Sequence, residues 1–196
     1  MINECIDSSN PFGLLLLREG AQEETEQTIH RAGTTARVIE VERLEGGRMN
    51  ILCQGESRFR VLRFTRNDPY WMGATDFIED EFCEEEKLAS LMEEVTALYT
   101  KAFQLGVQLS VVPASELRFP ESPVELSYMI SYMLDIESEE KQKLLEIRST
   151  EERLRLLLIH VEGVIHKLEQ QLAYKEIVKK VRGNGDLGKP GTPQNR

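Results

Sequence analysis

Short apolar runs broken by turn residues fill the first eighty positions, and apolar residues spaced three and four apart take over after them. Phe12-Gly-Leu-Leu-Leu-Leu-Arg18 is a continuous apolar run, which predicts a short strand buried on both faces. A polar stretch, Glu19 to His30, separates it from a second strand over Thr34–Arg43. There Arg37, Ile39 and Val41 are expected to face one way, and Val38, Glu40 and Glu42 the other. Glu45-Gly-Gly-Arg48 supplies the glycines that a tight hairpin with positive φ requires, and Met49–Gln54 returns from it. Gly55-Glu56 reads as a further turn before a strand over Phe59–Phe64. Asn67-Asp-Pro69 breaks that strand, and Tyr70–Phe77 closes the series. Strands joined by such short turns are antiparallel neighbours, so a small barrel or sheet is predicted.

The acidic run Glu79–Glu86 marks a change of regime. Leu88, Leu91, Met92, Val95, Leu98, Tyr99, Ala102 and Leu105 then give one apolar helix face, which Gly106 is expected to end or weaken. Ser122-Pro-Val-Glu125 offers a capping residue, a proline at the first helical position and a glutamate three residues on. The helix it opens, with Leu126, Met129, Ile130 and Met133 as its main stripe, is apolar on several sides, as a central helix is. Ser138–Ile147 predicts a short helix. Ser149-x-x-Glu152 opens the longest one, whose stripe runs from Leu154 through Leu157, Val161 and Ile165 to Leu172. Carried to Val181 it would be about 45 Å long. A helix of that length outruns a small core, so its far end is expected on another surface or in solvent.

These elements predict an α+β chain of three parts: a β domain over residues 1–80, a helical bundle with a long last helix over 81–182, and a disordered Gly- and Pro-rich tail over 183–196. A net charge of −10 over 196 residues argues against nucleic acid and anionic membrane as partners. The longest apolar run, Leu14–Leu17, is far short of the roughly 20 residues a membrane helix needs. Cys5, Cys53 and Cys83 stand apart and form no CxxC pair, which suits buried thiols in a reducing compartment, hence the cytoplasm.

Candidate chemistry is sparse. Gly183-Asn-Gly-Asp-Leu-Gly-Lys189 has P-loop spacing, but a helix precedes it and Pro190 stands where the magnesium-binding hydroxyl residue belongs. His160 and His166 lie six apart on the long helix and point different ways, and His30 is alone in a loop. No GxSxG or HExxH motif occurs. No catalytic, cofactor-binding or metal-ligating residue is therefore expected. Arg58-Phe-Arg-Val-Leu-Arg-Phe-Thr-Arg66 interleaves arginine with aromatics, as some RNA platforms do, although an edge strand with a charged outer face gives the same pattern. Tyr70, Trp71 and Met72 are bulky amphipathic residues suited to a protein-contact patch, or equally to packing at the core's rim.

Taken together, Gly33-Thr-Thr-Ala-Arg-Val-Ile-Glu-Val-Glu-Arg-Leu-Glu-Gly-Gly-Arg-Met-Asn-Ile-Leu52, Gly55-Glu-Ser-Arg-Phe-Arg-Val61 and Pro69-Tyr70 resemble the N-terminal, substrate-binding domain of Lon-type proteases. Leu126–Leu134, Glu140-Lys-Gln-Lys-Leu-Leu-Glu-Ile147 and Arg153-Leu154 continue the likeness, which extends to about Leu172. The resemblance implies a PUA-like β-barrel followed by a helical bundle. It also implies a non-catalytic role in binding unfolded or flagged proteins, without the ATPase and peptidase that follow in the full proteases. Other expectations are an RNA-binding PUA-like domain, or a regulator or assembly partner of a separate Lon-type protease, with oligomers forming through the long helix. Met1–Asp7 resembles the later part of a helix that in the family follows two opening strands. The family's opening strands are thus expected to be missing, through a misassigned start or a barrel left open.

Overall fold

The computed structural model describes residues 1–82, 84–113 and 116–184. The chain divides into two compact units, Met1–Glu84 with Ile136–Arg153, and Glu85–Asp135 with the rest of the chain from Leu154. Residues 81–182, expected as one helical domain, are divided between these two units. Segment 136–153 belongs with the strands, because side chains there reach back to strand backbone. The expected tail begins too early as well, since the last helix runs to Asn184. Residues 185–196, which hold most of the P-loop-like sequence and the rest of the tail, lie outside the described residues.

In the first unit, helix α1 (Ile2–Ser8) precedes a four-stranded antiparallel meander in the order β1 (Phe12–Leu17), β2 (Ile29–Arg43), β3 (Met49–Arg66), β4 (Met72–Phe77). The hairpin between β2 and β3 turns where expected, with Gly46 at φ 74° and Gly47 at φ 77° and Leu44 N–H donating to Arg48 O at 2.9 Å. Three strand expectations need correction. Gly55-Glu56 is no turn: β3 continues through it with a bulge, since Thr34 pairs with Arg58 but Ala36 with Gly55. A second bulge, between Val38 and Glu40, puts Val38 and Val41 on one face and leaves Ile39 exposed. Finally, β1 is an edge strand with Gly13 and Leu14 exposed, and the basic strand β3 is internal. An apolar run therefore marks the rim here, and an arginine-rich one the interior.

Gly33 lies between β1 and β3, where a Cβ would collide with the Leu14 carbonyl oxygen and come within 2.7 Å of Leu15 Cδ2. Backbone cannot yield as a flexible side chain can. Gly33→Ala is expected to cost about 3 kcal/mol, the upper end of overpacking effects. A urea midpoint unchanged from the parent protein would show that the two strands can part without cost.

Segment 136–153 covers one face of the sheet. Helix α4 (Ser138–Glu146) lies over β2, where the buried Gln142 donates from Nε2 to Ala32 O at 3.0 Å. His30, expected in a loop, is a buried residue of β2, with Nε2 3.0 Å from Glu139 and Nδ1 3.8 Å from Glu146. The His30 hydrogen bond, and after it the Glu19 N–H, holds the Glu139 carboxyl below the ordinary glutamate value. A carboxyl lowered in this way adds stability above its unfolded pKa and gives it up as pH falls through the folded one. Melting temperature is therefore expected to drop below about pH 4. Glu139→Gln should flatten that acid limb, and an unaltered limb would show that the contact does not hold α4.

The second unit holds α2 (Glu85–Leu109), α3 (Pro123–Met133) and most of α5 (Thr150–Asn184). Gly106 does not end α2. The helix passes it because Gly106 packs close to Val112, whose Cγ2 would be 2.9 Å from an added Cβ. Ser110, at φ 62°, ends the helix instead, with Val111 N–H donating to Gly106 O and Ser110 N–H to Val107 O, both at 3.0 Å, as in a Schellman closure. Ser122 caps α3 by position, without a side-chain hydrogen bond, whereas Ser149 Oγ accepts from Glu152 N–H at 3.3 Å ahead of α5. Most of the expected stripes form the core: Leu88, Leu91, Val95, Tyr99 and Ala102 of α2, Leu126 and Ile130 of α3, and Leu157, Val161 and Ile165 of α5 are buried, whereas Met133 of α3 is exposed. Each such aliphatic side chain contributes about 1.5–3 kcal/mol. Helix α3 is less central than its composition implied, with Tyr132 at its end 84% exposed. Beyond Leu172, Tyr174, Ile177 and Val181 of α5 are exposed. Among the described residues no helix is long and apolar enough to cross a membrane.

Candidate functional site

The sheet face opposite α4 forms an apolar trough of about 230 Å³. Its floor follows from strand register. Gly13 pairs with Thr35, Leu15 with Gly33, Gly33 with Phe59, Val61 with Thr75 and Phe64 with Gly73, so every pair shares this face. Besides Gly33, glycine is needed at two of these positions. A Cβ at Gly13 would come within 2.8 Å of the Phe59 ring, and one at Gly73 within 2.8 Å of Arg63 O. The Phe64 and Trp71 rings meet edge to face at 4.9 Å. Arg31 lies over the Phe64 ring at 5.7 Å and Arg66 over Tyr70 at 5.6 Å, cations on the negative faces of aromatic rings. At the N-terminus, Met1 joins the lining, and Tyr70 Oη donates to Glu4 Oε2 at 3.4 Å.

The three residues singled out in the sequence divide here. Trp71, half-buried, and Met72, 45% exposed, line the trough. Tyr70 is half-buried beside it, engaged with Arg66 and Glu4. Phe59, Phe64, Leu15 and Gly13 complete the site and were not singled out. Their alternation on strands was visible, but the register that puts them opposite Thr35, Gly33 and Gly73 was not.

Arg58 belongs to the other face and is buried. Its Nη1 donates to Leu145 O at 2.6 Å and to Ile147 O at 2.7 Å, and Nη2 lies 3.1 Å from Asp80. Arg153, fully buried, reaches the same Asp80 carboxylate at 2.8 Å and donates to Ile147 O at 2.8 Å. The most conspicuous arginine of the basic strand thus ties segment 136–153 to the sheet and is closed to a phosphate backbone. Cys5 and Cys53 are free thiols, half-buried and not buried as expected, and Cys83 is not among the described residues. A larger cavity of about 440 Å³ lies within the helical unit, among Phe103, Val112, Met133 and Leu168, and holds none of the residues singled out.

Comparison with known proteins places this geometry. The Lon protease of Syntrophus aciditrophicus is 25% identical over 174 residues, covering 86% of this chain and 22% of that protein. The Lon protease of Citrifermentans bemidjiense is 27% identical over 180 residues, with 91% and 22% covered. The chain thus spans about a fifth of the length of these relatives. In fold it is similar to a Lon N-terminal domain protein from Xanthomonas campestris, with TM-score 0.53, 18% identity, and 81% of this chain and 80% of that one covered. It is also similar to the N-terminal domain of the Mycobacterium avium complex Lon protease, with TM-score 0.51, 19% identity, and 76% and 77% covered. The family described as the ATP-dependent protease La (LON) substrate-binding domain matches residues 1–163, both the strands that build the trough and the helices that follow, and the chain belongs to that family.

Proposed function

We propose that this chain is a binding module that captures unfolded or flagged proteins, with Trp71 and Met72 in the trough, and Tyr70 beside it, as its contact residues. The observation that carries this reading is the trough itself. An open apolar hollow on a sheet, walled by Phe64 and Trp71 and rimmed by arginine, suits a protein side chain better than a small polar substrate. Membership of a substrate-binding family supports it. The chain carries out no chemistry of its own in this reading, and it works in the context of a Lon-type protease.

Trp71 is the one tryptophan, so it reports directly on the site. Titration with a permanently unfolded, carboxymethylated protein, without ATP, is expected to change its fluorescence saturably at micromolar concentrations. An unchanged emission, with no binding by calorimetry, would refute the assignment.

One observation favours a second reading, that of assembly partner to a separate Lon-type protease. Tyr174, Ile177 and Val181 follow one another at three and four residues along the far part of α5, exposed by 71%, 59% and 68%. This is the spacing of a helix seam awaiting another helix. A pull-down that returns the protease with the parent chain, and not with an Ile177→Glu variant, would favour that role.

A further inference from the structure

We propose that the cavity of the helical unit binds a small amphiphile with a straight apolar chain and a carboxylate head, such as a medium-chain fatty acid. This site is separate from the trough and from the client reading, and either can fail without the other.

The cavity follows from helix spacing. Tyr99, Ala102 and Gly106 of α2 lie three and four apart, as do Val164, Lys167, Leu168 and Gln171 of α5, so one face of each helix lines it. Ala102 and Gly106 are buried and bring almost no side chain to that face. The turn after α2 supplies a further wall. Gly106 leaves room for Val112, whose Cγ2 would be 2.9 Å from an added Cβ, and the 3.0 Å hydrogen bonds from Ser110 and Val111 N–H fix the turn. The volume is about 440 Å³, against roughly 30 Å³ for one water, so this is no ordinary gap between packed side chains. It falls within the roughly 300–1,000 Å³ of small-molecule sites.

The lining identifies the ligand. Val111, 61% exposed, and Met133, 38% exposed, are apolar surface that a bound chain would remove from water. Asp135, Lys167 and Gln171 line the cavity too, and all three are exposed, so they stand where it meets solvent. Lys167 and Gln171 are one turn apart on α5 and bring an ammonium and an amide to the same rim. Glu169, two residues on from Lys167, is taken up by Lys101 of α2 at 2.8 Å, while Lys167 makes no ion pair among the described residues. Two donor groups side by side suit a carboxylate, whereas an ammonium would find Asp135 alone. An apolar body with one anionic end matches this division.

The test titrates the full chain with hexanoate, octanoate and decanoate by calorimetry, and compares octanoate with octanol and octylamine. Affinity is expected to rise about fourfold with each added methylene, the value for a chain leaving water. Octanoate is expected to bind about threefold more tightly than octanol, as one exposed charge contact implies, and Lys167→Met to close that gap. Val164→Phe, which fills the cavity, is expected to weaken decanoate about tenfold while the melting temperature holds. Trp71 belongs to the other unit, so its emission is expected to stay constant throughout. Affinity independent of chain length, octylamine binding more tightly than octanoate, or a gap that Lys167→Met leaves intact would each overturn the proposal. So would decanoate that shifts Trp71 emission and ignores Val164→Phe, since it would then sit in the trough. No binding of decanoate at millimolar concentration overturns it as well. Should Val164→Phe melt early, the chain-length series and Lys167→Met decide, because Lys167 is exposed and its replacement spares the core.

Discussion

Asp80→Ala is expected to lower unfolding free energy by about 3 kcal/mol. Asp80 lies 3.1 Å from Arg58 Nη2 and 2.8 Å from Arg153 Nη2. Arg153 is fully buried and Arg58 nearly so. A guanidinium does not deprotonate in a protein, so removing the carboxylate takes away an anion that two poorly solvated cations share. The carbonyls of Leu145 and Ile147 still accept from these arginines, and the Asp80 side chain is 23% exposed. Both facts hold the estimate at the lower end of the range for broken buried pairs. Asp80→Asn keeps the shape but not the charge and should recover only a minor part. Urea unfolding followed by circular dichroism measures both, and a loss below about 1 kcal/mol for Asp80→Ala would place the cluster among exposed pairs of little consequence.

Trp71→Ala is expected to weaken binding of unfolded protein about thirtyfold, equivalent to about 2 kcal/mol, the size of an interfacial hot spot. Trp71 combines a half-buried ring, fixed edge to face against Phe64 at 4.9 Å, with a surface open to the trough. A ring already fixed loses little freedom on binding, so more of its contact energy survives as affinity. Met72→Ala should cost less, because the side chain is flexible and 45% exposed. Tyr70→Phe, which removes only the bond to Glu4 at 3.4 Å, should leave affinity nearly unchanged. Calorimetry with a carboxymethylated client orders the three. Equal, small effects would indicate that the trough is a feature of packing.

Much of this architecture could be read from local pattern. The glycine pair at 46–47, the Ser149 cap and the 3-4 stripe of α5 each depend on a few neighbouring residues, and each stands where the pattern put it. What escaped depends on distant pairing. Gly55-Glu56 reads locally as a turn, yet Ala36 across the strand makes it a bulge. Gly106 reads as a helix end, yet Val112 needs the space of its missing side chain. Arg58 and His30 show the same limit for polar groups. An arginine in a basic run reads as surface, and a lone histidine as loop, until carbonyls and carboxylates more than eighty residues away in sequence close around them. The site was half legible for this reason. Trp71 and Met72 are bulky enough to notice, whereas Gly13 and Phe59 matter only through the register that joins them.

The central claim is that clients are recognised on the sheet face of the first unit. Hydrogen exchange of the full chain, with and without saturating carboxymethylated protein, tests it most directly. The expected footprint is slowed exchange over residues 59–64 and 71–75, with residues 174–181 of α5 unaffected. Protection confined to α5, with the sheet exchanging as in the free protein, would contradict it.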